Sequence, residues 1–140
     1  MLVNILVLDR IRSLLGFETG IKAQLHKEMN NLIKKESTIL KAILLTNDGL
    51  PIYSYGLDGK NPELFAVSIS SFVSLVMRKI DVLGLKGEVS YVQIELDNGN
   101  ILVAVSDNLS LATFTNEDAE LTIVKTLTKN ALKRFEELFR

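Results

Sequence analysis

The residues of this chain that could do chemistry are few and scattered. Asn47-Asp48-Gly49 and Asp97-Asn98-Gly99-Asn100 bring carboxylate and carboxamide oxygens close together, the raw material of a cation site. A calcium loop, however, spreads its oxygen donors over about a dozen residues and closes on a bidentate glutamate. Neither stretch continues that way, and an Asx-Gly pair between two apolar runs is the ordinary signal of a hairpin. Gly56-Leu-Asp-Gly59-Lys60 pairs glycine with lysine as a phosphate loop does, but the spacing is too short and Asn61 stands where a hydroxyl is needed. Gly84-Leu-Lys-Gly87 has the pattern of a KH loop, which joins two helices; here a strand is predicted to follow. His26 is the only histidine, and no spacing supplies the nucleophile or carboxylate that a catalytic histidine requires. Ser68, Ser70, Ser71 and Ser74 sit on a predicted helix, where they permit close packing rather than supply a nucleophile. Asn108-Leu-Ser110 matches a glycosylation acceptor, without weight in the absence of a secretory signal. The chain reads as a non-enzyme: no catalytic, cofactor-binding or metal-ligating residue is assigned, and no cofactor is expected.

Composition narrows the remaining classes. Sixteen Lys and Arg against 17 Asp and Glu give a formal net charge of -1, whereas a dedicated nucleic-acid binder rests its affinity on a basic surface. With 140 residues, 47% hydrophobic and 24% charged, the chain suits one soluble domain with a real core. The absence of cysteine removes disulfides, thiolate metal sites and cysteine nucleophiles, and fits a reducing compartment. The N-terminal apolar run ends at Asp9-Arg10, well short of the roughly 20 residues of a membrane span, and lacks the flanks of a signal peptide. No transmembrane segment is expected, and the expected location is the cytoplasm.

The elements that must position any site follow from the apolar period. Leu14, Leu15, Leu25, Met29, Leu32 and Ile33 fall on one side of a helical wheel, with Gly16 and Gly20 opposite, each costing the helix about 1 kcal/mol relative to alanine. A helix is predicted over about 20–36 with Thr19 as a candidate cap, while residues 2–8 fit strand or helix. Residues 1–19 are therefore set apart as an N-terminal extension from a domain over 20–140. Ile39 to Leu45 is apolar on both alternating sets, as a strand covered on both faces should be. After the Asn47-Asp48-Gly49 turn, Leu50 to Tyr55 resumes a strand, and Pro51 places it at a sheet edge. Pro62 opens a helix to about Val82, which Gly84 can end. Strands are predicted over Glu88–Leu96, Ile101–Val105 and Leu109–Phe114, and Thr115-Asn-Glu-Asp118 supplies cap residues for a last helix. The order is α-β-β-α-β-β-β-α.

The central helix resists a plain reading. Phe65, Ile69, Phe72, Val73, Val76, Met77 and Ile80 make a stripe able to cover the sheet, yet Leu64, Val67, Ser71, Leu75 and Val82 make a second one opposite it. A monomer's outward face should be polar. Covering about 300 Å² of apolar surface there is worth roughly 7 kcal/mol before association entropy, so a homodimer through this stripe is expected. The competing cover is the chain's own N-terminal segment.

With these elements in place, the chain resembles the Roadblock / dynein light-chain family over about residues 21–135. The carriers are Asn47-Asp-Gly-Leu-Pro-Ile52, Gln93-Ile-Glu-Leu-Asp-Asn-Gly-Asn-Ile-Leu-Val103 and Thr115-Asn-Glu-Asp-Ala-Glu-Leu-Thr122, together with the order of elements. The resemblance implies an α+β fold of the roadblock/longin, profilin-like type, with a five-stranded antiparallel sheet and helices on both faces. It implies a homodimer in which central helices pair and the strand holding Val89 and Tyr91 meets its own copy. It also implies a platform for a small Ras-like GTPase, since relatives tied to gliding motility accelerate hydrolysis by their partner. Ser74, Arg78 and Lys79, beside the second stripe, are the candidate partner-binding residues. The alternative is a structural subunit of a multiprotein scaffold with no GTPase contact.

Overall fold

The computed structural model describes Ile11 and residues 19–140. Its elements run α1 (Thr19–Lys35), β1 (Ile39–Thr46), β2 (Pro51–Tyr55), α2 (Pro62–Val82), β3 (Tyr91–Leu96), β4 (Gly99–Val105), β5 (Leu109–Asn116) and α3 (Leu121–Leu138). The expectations for residues 2–8 and for Leu14 and Leu15 lie outside the described residues. The strands form one antiparallel sheet in the order β2-β1-β5-β4-β3. Pro51 thus begins an edge strand, where its missing N–H leaves no gap in an inner ladder.

β1 shows why its sequence is apolar on both sides. Ala42 and Leu44 face the layer built by Leu25, Met29 and Leu32 of α1 with Val124, Ala131 and Phe135 of α3. Ile43 and Leu45, one residue out of phase, face Ala66, Ile69 and Val73 of α2. The period of two sends alternate side chains into two separate cores. Ile11 is fully buried in the α1/α3 layer. Arg134 Nε donates to Glu28 Oε2 across 2.8 Å and ties the two helices of that layer together.

The turns use their residues differently. At β1–β2, Gly49 has φ +96° and donates its N–H to Thr46 O at 2.9 Å, a conformation that costs a side chain and suits glycine. Asn47 then fastens this turn to a second one: its Nδ2 donates to Ser106 O at 2.7 Å, and its Oδ1 accepts from Ser110 Oγ at 2.6 Å. Ser70 Oγ of α2 donates to Asn47 O at 3.0 Å. At β3–β4 the glycine has another task, because a Cβ on Gly99 would lie 2.3 Å from the carbonyl oxygen of Thr115 in β5.

α2 begins and ends where its sequence says. Asn61 Oδ1 accepts from Glu63 N–H at 2.9 Å and Pro62 occupies the first turn. At the other end Gly84 N–H donates to Asp81 O and Leu85 N–H to Ile80 O, satisfying carbonyls the helix leaves open.

Three expectations are corrected. β3 starts at Tyr91, not Glu88, and only Ser90 O still reaches the ladder, accepting from Val105 N–H at 3.0 Å. Thr115 and Asn116 extend β5; Asn116 Oδ1 accepts from Asp118 N–H, and α3 begins after Glu120 with no side-chain cap. Thr19 lies within α1 and not before it.

Candidate functional site

The outward face of α2 is the main unexplained surface. Residues three or four apart share a helix face, and the structure brings Leu64, Val67, Ser71, Leu75 and Val82 onto one line. The four hydrophobic members are 65%, 55%, 47% and 77% exposed, in that order. The hydroxyls beside them do not make this face polar. Ser68 Oγ donates to Leu64 O and Ser71 Oγ to Val67 O, both at 2.8 Å, so each is satisfied within its own helix. What remains is a small, flat, largely apolar strip.

The segment that could have covered the strip from within the chain does not do so at the one position described. Ile11 packs on the other side of the sheet, in the α1/α3 layer. Among the described residues nothing lies over the strip.

Arg78 follows Leu75 by three residues and precedes Val82 by four, which puts it in the strip and not at its rim. Ser74 and Lys79 fall on opposite flanks: Ser74 on the side of Ser70 and the β1–β2 turn, Lys79 on the side of Phe72. All three are exposed. Phe72 corrects the sequence reading. It is 43% exposed, and the small Ala66 takes the sheet-facing place beside Ile69 and Val73. Phe72 instead walls an apolar cleft of about 250 Å³ with Leu64, Phe65, Ile101 and Phe114. The rings of Phe65 and Phe114 meet edge to face there at 5.8 Å. No periodicity could have revealed this cleft, since its walls come from α2, β4 and β5.

The second candidate surface is the outer edge of β3, beyond which no described strand pairs. Ser90 is hydrogen-bonded to Val105. Antiparallel alternation then turns the main-chain groups of Val92 and Ile94 toward β4 and those of Tyr91, Gln93 and Glu95 away from it. Val89 lies half-buried just before the strand. The Tyr91 side chain is on the α1/α3 side, apart from the α2 strip. Lys125 Nζ and Lys129 Nζ stand 4.8 and 5.7 Å from its ring centroid. Its hydroxyl donates to Gln93 Oε1 at 2.7 Å, and Gln93 Nε2 donates to Glu95 Oε1 at 3.3 Å. Burial pushes the Tyr91 hydroxyl up to about 12.

His26 is exposed, and its partners are polar but not acidic. Asn30 Nδ2 donates to its Nε2 at 3.0 Å, which leaves the ring proton on Nδ1 for the Tyr53 hydroxyl at 2.5 Å. That chain ties α1 to β2 and has neither nucleophile nor carboxylate. Among the described residues no three His, Asp or Glu side chains are grouped to hold a metal ion, and no helix is long and apolar enough to cross a membrane.

Comparison with known proteins addresses the whole arrangement. The Roadblock/LC7 domain family matches residues 25–121. No curated protein sequence matches the chain. Among solved structures, a Roadblock/LC7 domain from Streptomyces avermitilis aligns with a TM-score of 0.71 at 24% identity, covering 77% of this chain and 91% of that one. The gliding protein MglB from Thermus thermophilus aligns with a TM-score of 0.74 at 12% identity, covering 87% and 93%. Profilin IB from Acanthamoeba castellanii shares the architecture more loosely, with a TM-score of 0.56 at 12% identity over 76% and 92% of the two chains.

Proposed function

The chain belongs to the Roadblock/LC7 domain family, and from that premise we propose that it is a non-catalytic, homodimeric module of the cytoplasm that binds and regulates a small Ras-like GTPase. Residues 20–140 are the working domain in this reading, and residues 1–19 are an extension that reaches the α1/α3 layer through Ile11.

The observation that carries the proposal is the exposed apolar strip of α2 with its internally satisfied serines. Two copies related by a two-fold axis would lay their α2 helices antiparallel, strip to strip, and the small serines allow the backbones to approach. Arg78, within the strip, is then a dimer contact and not an arginine finger. Ser74 and Lys79 flank the seam and are offered to the partner. A single GTPase seated on the seam meets both protomers. Any stimulation of hydrolysis comes from ordering the GTPase's own switch segments, since no group here is placed to do chemistry. The likeness to MglB, a gliding protein, supports a GTPase as the partner class.

Two measurements test the reading. Light scattering at tens of micromolar (roughly, well above a dissociation constant of about 1 µM) should report a dimer. Titration with the Ras-like GTPases of the same cell should show association with the form holding a non-hydrolysable GTP analogue, and weaker association with the GDP form. The chain alone should bind no GTP. A dimer that associates with none of those GTPases would instead be a structural subunit of a scaffold.

A further inference from the structure

We propose that the face built by α1 and α3 docks by charge on an anionic lipid surface. This goes beyond the GTPase reading and does not depend on it.

Charge on this chain is sorted by face. α1 carries four lysines against one acid, Glu28, and α3 carries three lysines and Arg134 against Glu136 and Glu137. Eight basic residues less three acidic ones leave these two helices at +5, on a chain whose formal charge is -1. α2, across the sheet, balances Arg78 and Lys79 against Glu63 and Asp81. Such an asymmetry sets a field on one side of the molecule that its net charge conceals.

The surplus is open to a partner. Glu28 is engaged by Arg134 at 2.8 Å, between the helices, and Glu136 accepts from Ser106 Oγ. Lys27 and Lys34 lie on the side of α1 away from buried Leu25, Met29 and Leu32, and both are exposed, as is Lys133 of α3. Lys125 and Lys129 carry the patch to the β3 edge, over the Tyr91 ring.

The chemistry of the face favours lipid over other polyanions. Sites for nucleic acid or phosphopeptide rely on arginine forks and stacked aromatics. Here seven of the eight cations are lysine, the arginine is held by Glu28, and the ring of Phe135 is buried. Lysine is a compact point charge on a flexible stem, suited to a fluid layer of headgroups. Ile123 is the large hydrophobic side chain these helices expose, so binding rests on charge and not on insertion. Each lysine near an anionic leaflet strengthens binding about fivefold. Docked this way, the molecule turns α2 away from the lipid.

The test is cosedimentation of the full chain with vesicles of phosphatidylcholine, alone or mixed one to one with phosphatidylserine. The chain should bind the mixed vesicles at low salt, leave them at about 0.5 M salt, and ignore the neutral ones. Lys27→Glu/Lys34→Glu should weaken binding about tenfold or more. Lys60→Glu/Lys86→Glu makes the same change in net charge beside the ends of α2 and should weaken it far less. All four lysines are exposed, and circular dichroism checks that both variants fold. Failure to bind the mixed vesicles, or equal losses in the two variants, overturns the docking face. Tighter binding to a DNA duplex or to polyglutamate overturns it as well, by making the face a site for another polyanion. The GTPase reading stands or falls separately, on the nucleotide-dependent titration.

Discussion

At the scale of single residues, one carboxamide does more for this fold than its place in a turn suggests. Asn47 donates to Ser106 and accepts from Ser110, so it locks the β1–β2 turn onto the β4–β5 turn. Asn47→Ala takes that acceptor from the buried Ser110 hydroxyl and should cost roughly 2–3 kcal/mol in urea unfolding, since an unsatisfied buried group bears its full desolvation penalty. Gly49→Val introduces side-chain strain at φ +96° and should cost roughly 1–2 kcal/mol. Partner binding by either variant should fall only as far as stability does. The hairpin was legible in the sequence because Asn-Asp-Gly sits between two apolar runs. The lock was not, because Ser106 and Ser110 enter from a distant part of the chain. Tyr91 gives a pH signature. Its hydroxyl rises from 10.0 to about 12 through burial, so the folded state holds that proton more tightly than the unfolded one. The associated stability is intact below pH 10 and is lost as pH climbs from 10 toward 12. Denaturation midpoints should decline across that window, and less steeply in Tyr91→Phe. Part of the decline should remain, because burial raises Tyr53 as well.

At the scale of elements, α2 is the one whose sequence and structure agree most fully. Its Pro62 start and Gly84 exit were readable, because helix punctuation is local. Its two apolar faces were readable because the helical period separates them. Phe72 was misplaced because it lies at the margin of the inner face, whose buried members are Ala66, Ile69 and Val73. The same limit explains α3, where cap-like residues were absorbed by β5: a ladder partner outcompeted a local cap. The outward face sets this element's prediction. Leu75 is nearly half exposed in the single chain, so Leu75→Glu should leave the fold of each chain intact by circular dichroism. In the proposed dimer the same substitution buries two charges beside the seam. It should raise the dissociation constant by about a hundredfold or more, equivalent to about 2.7 kcal/mol, read as a shift to monomer by light scattering.

At the scale of the whole molecule, the order of elements was legible because each element announced itself by period and punctuation, while the five-stranded sheet with helices on both faces came from the resemblance to a family. The arrangement β2-β1-β5-β4-β3 was not derivable from those signals, because local punctuation does not say which strands become neighbours. The proposed two-fold axis leads to a stoichiometry. One GTPase lying across two α2 helices would occupy the axis and exclude a second, so isothermal titration should give two protomers for each GTPase bound. One GTPase per protomer would place the contact elsewhere on the surface.

The central position of β5 governs how this molecule comes into being. β5 separates the β1–β2 hairpin from the β3–β4 hairpin and pairs with both, yet it is the last strand made. Until residues 109–116 emerge from the ribosome, the two hairpins share no ladder, and isolated hairpins are marginal in water. Closing β1 onto β5 then demands a long loop, the kind of contact that slows folding. During that interval the Ala42–Leu45 run, destined for two cores at once, lies open along its inner edge. A chaperone attending the nascent chain would find its binding site there.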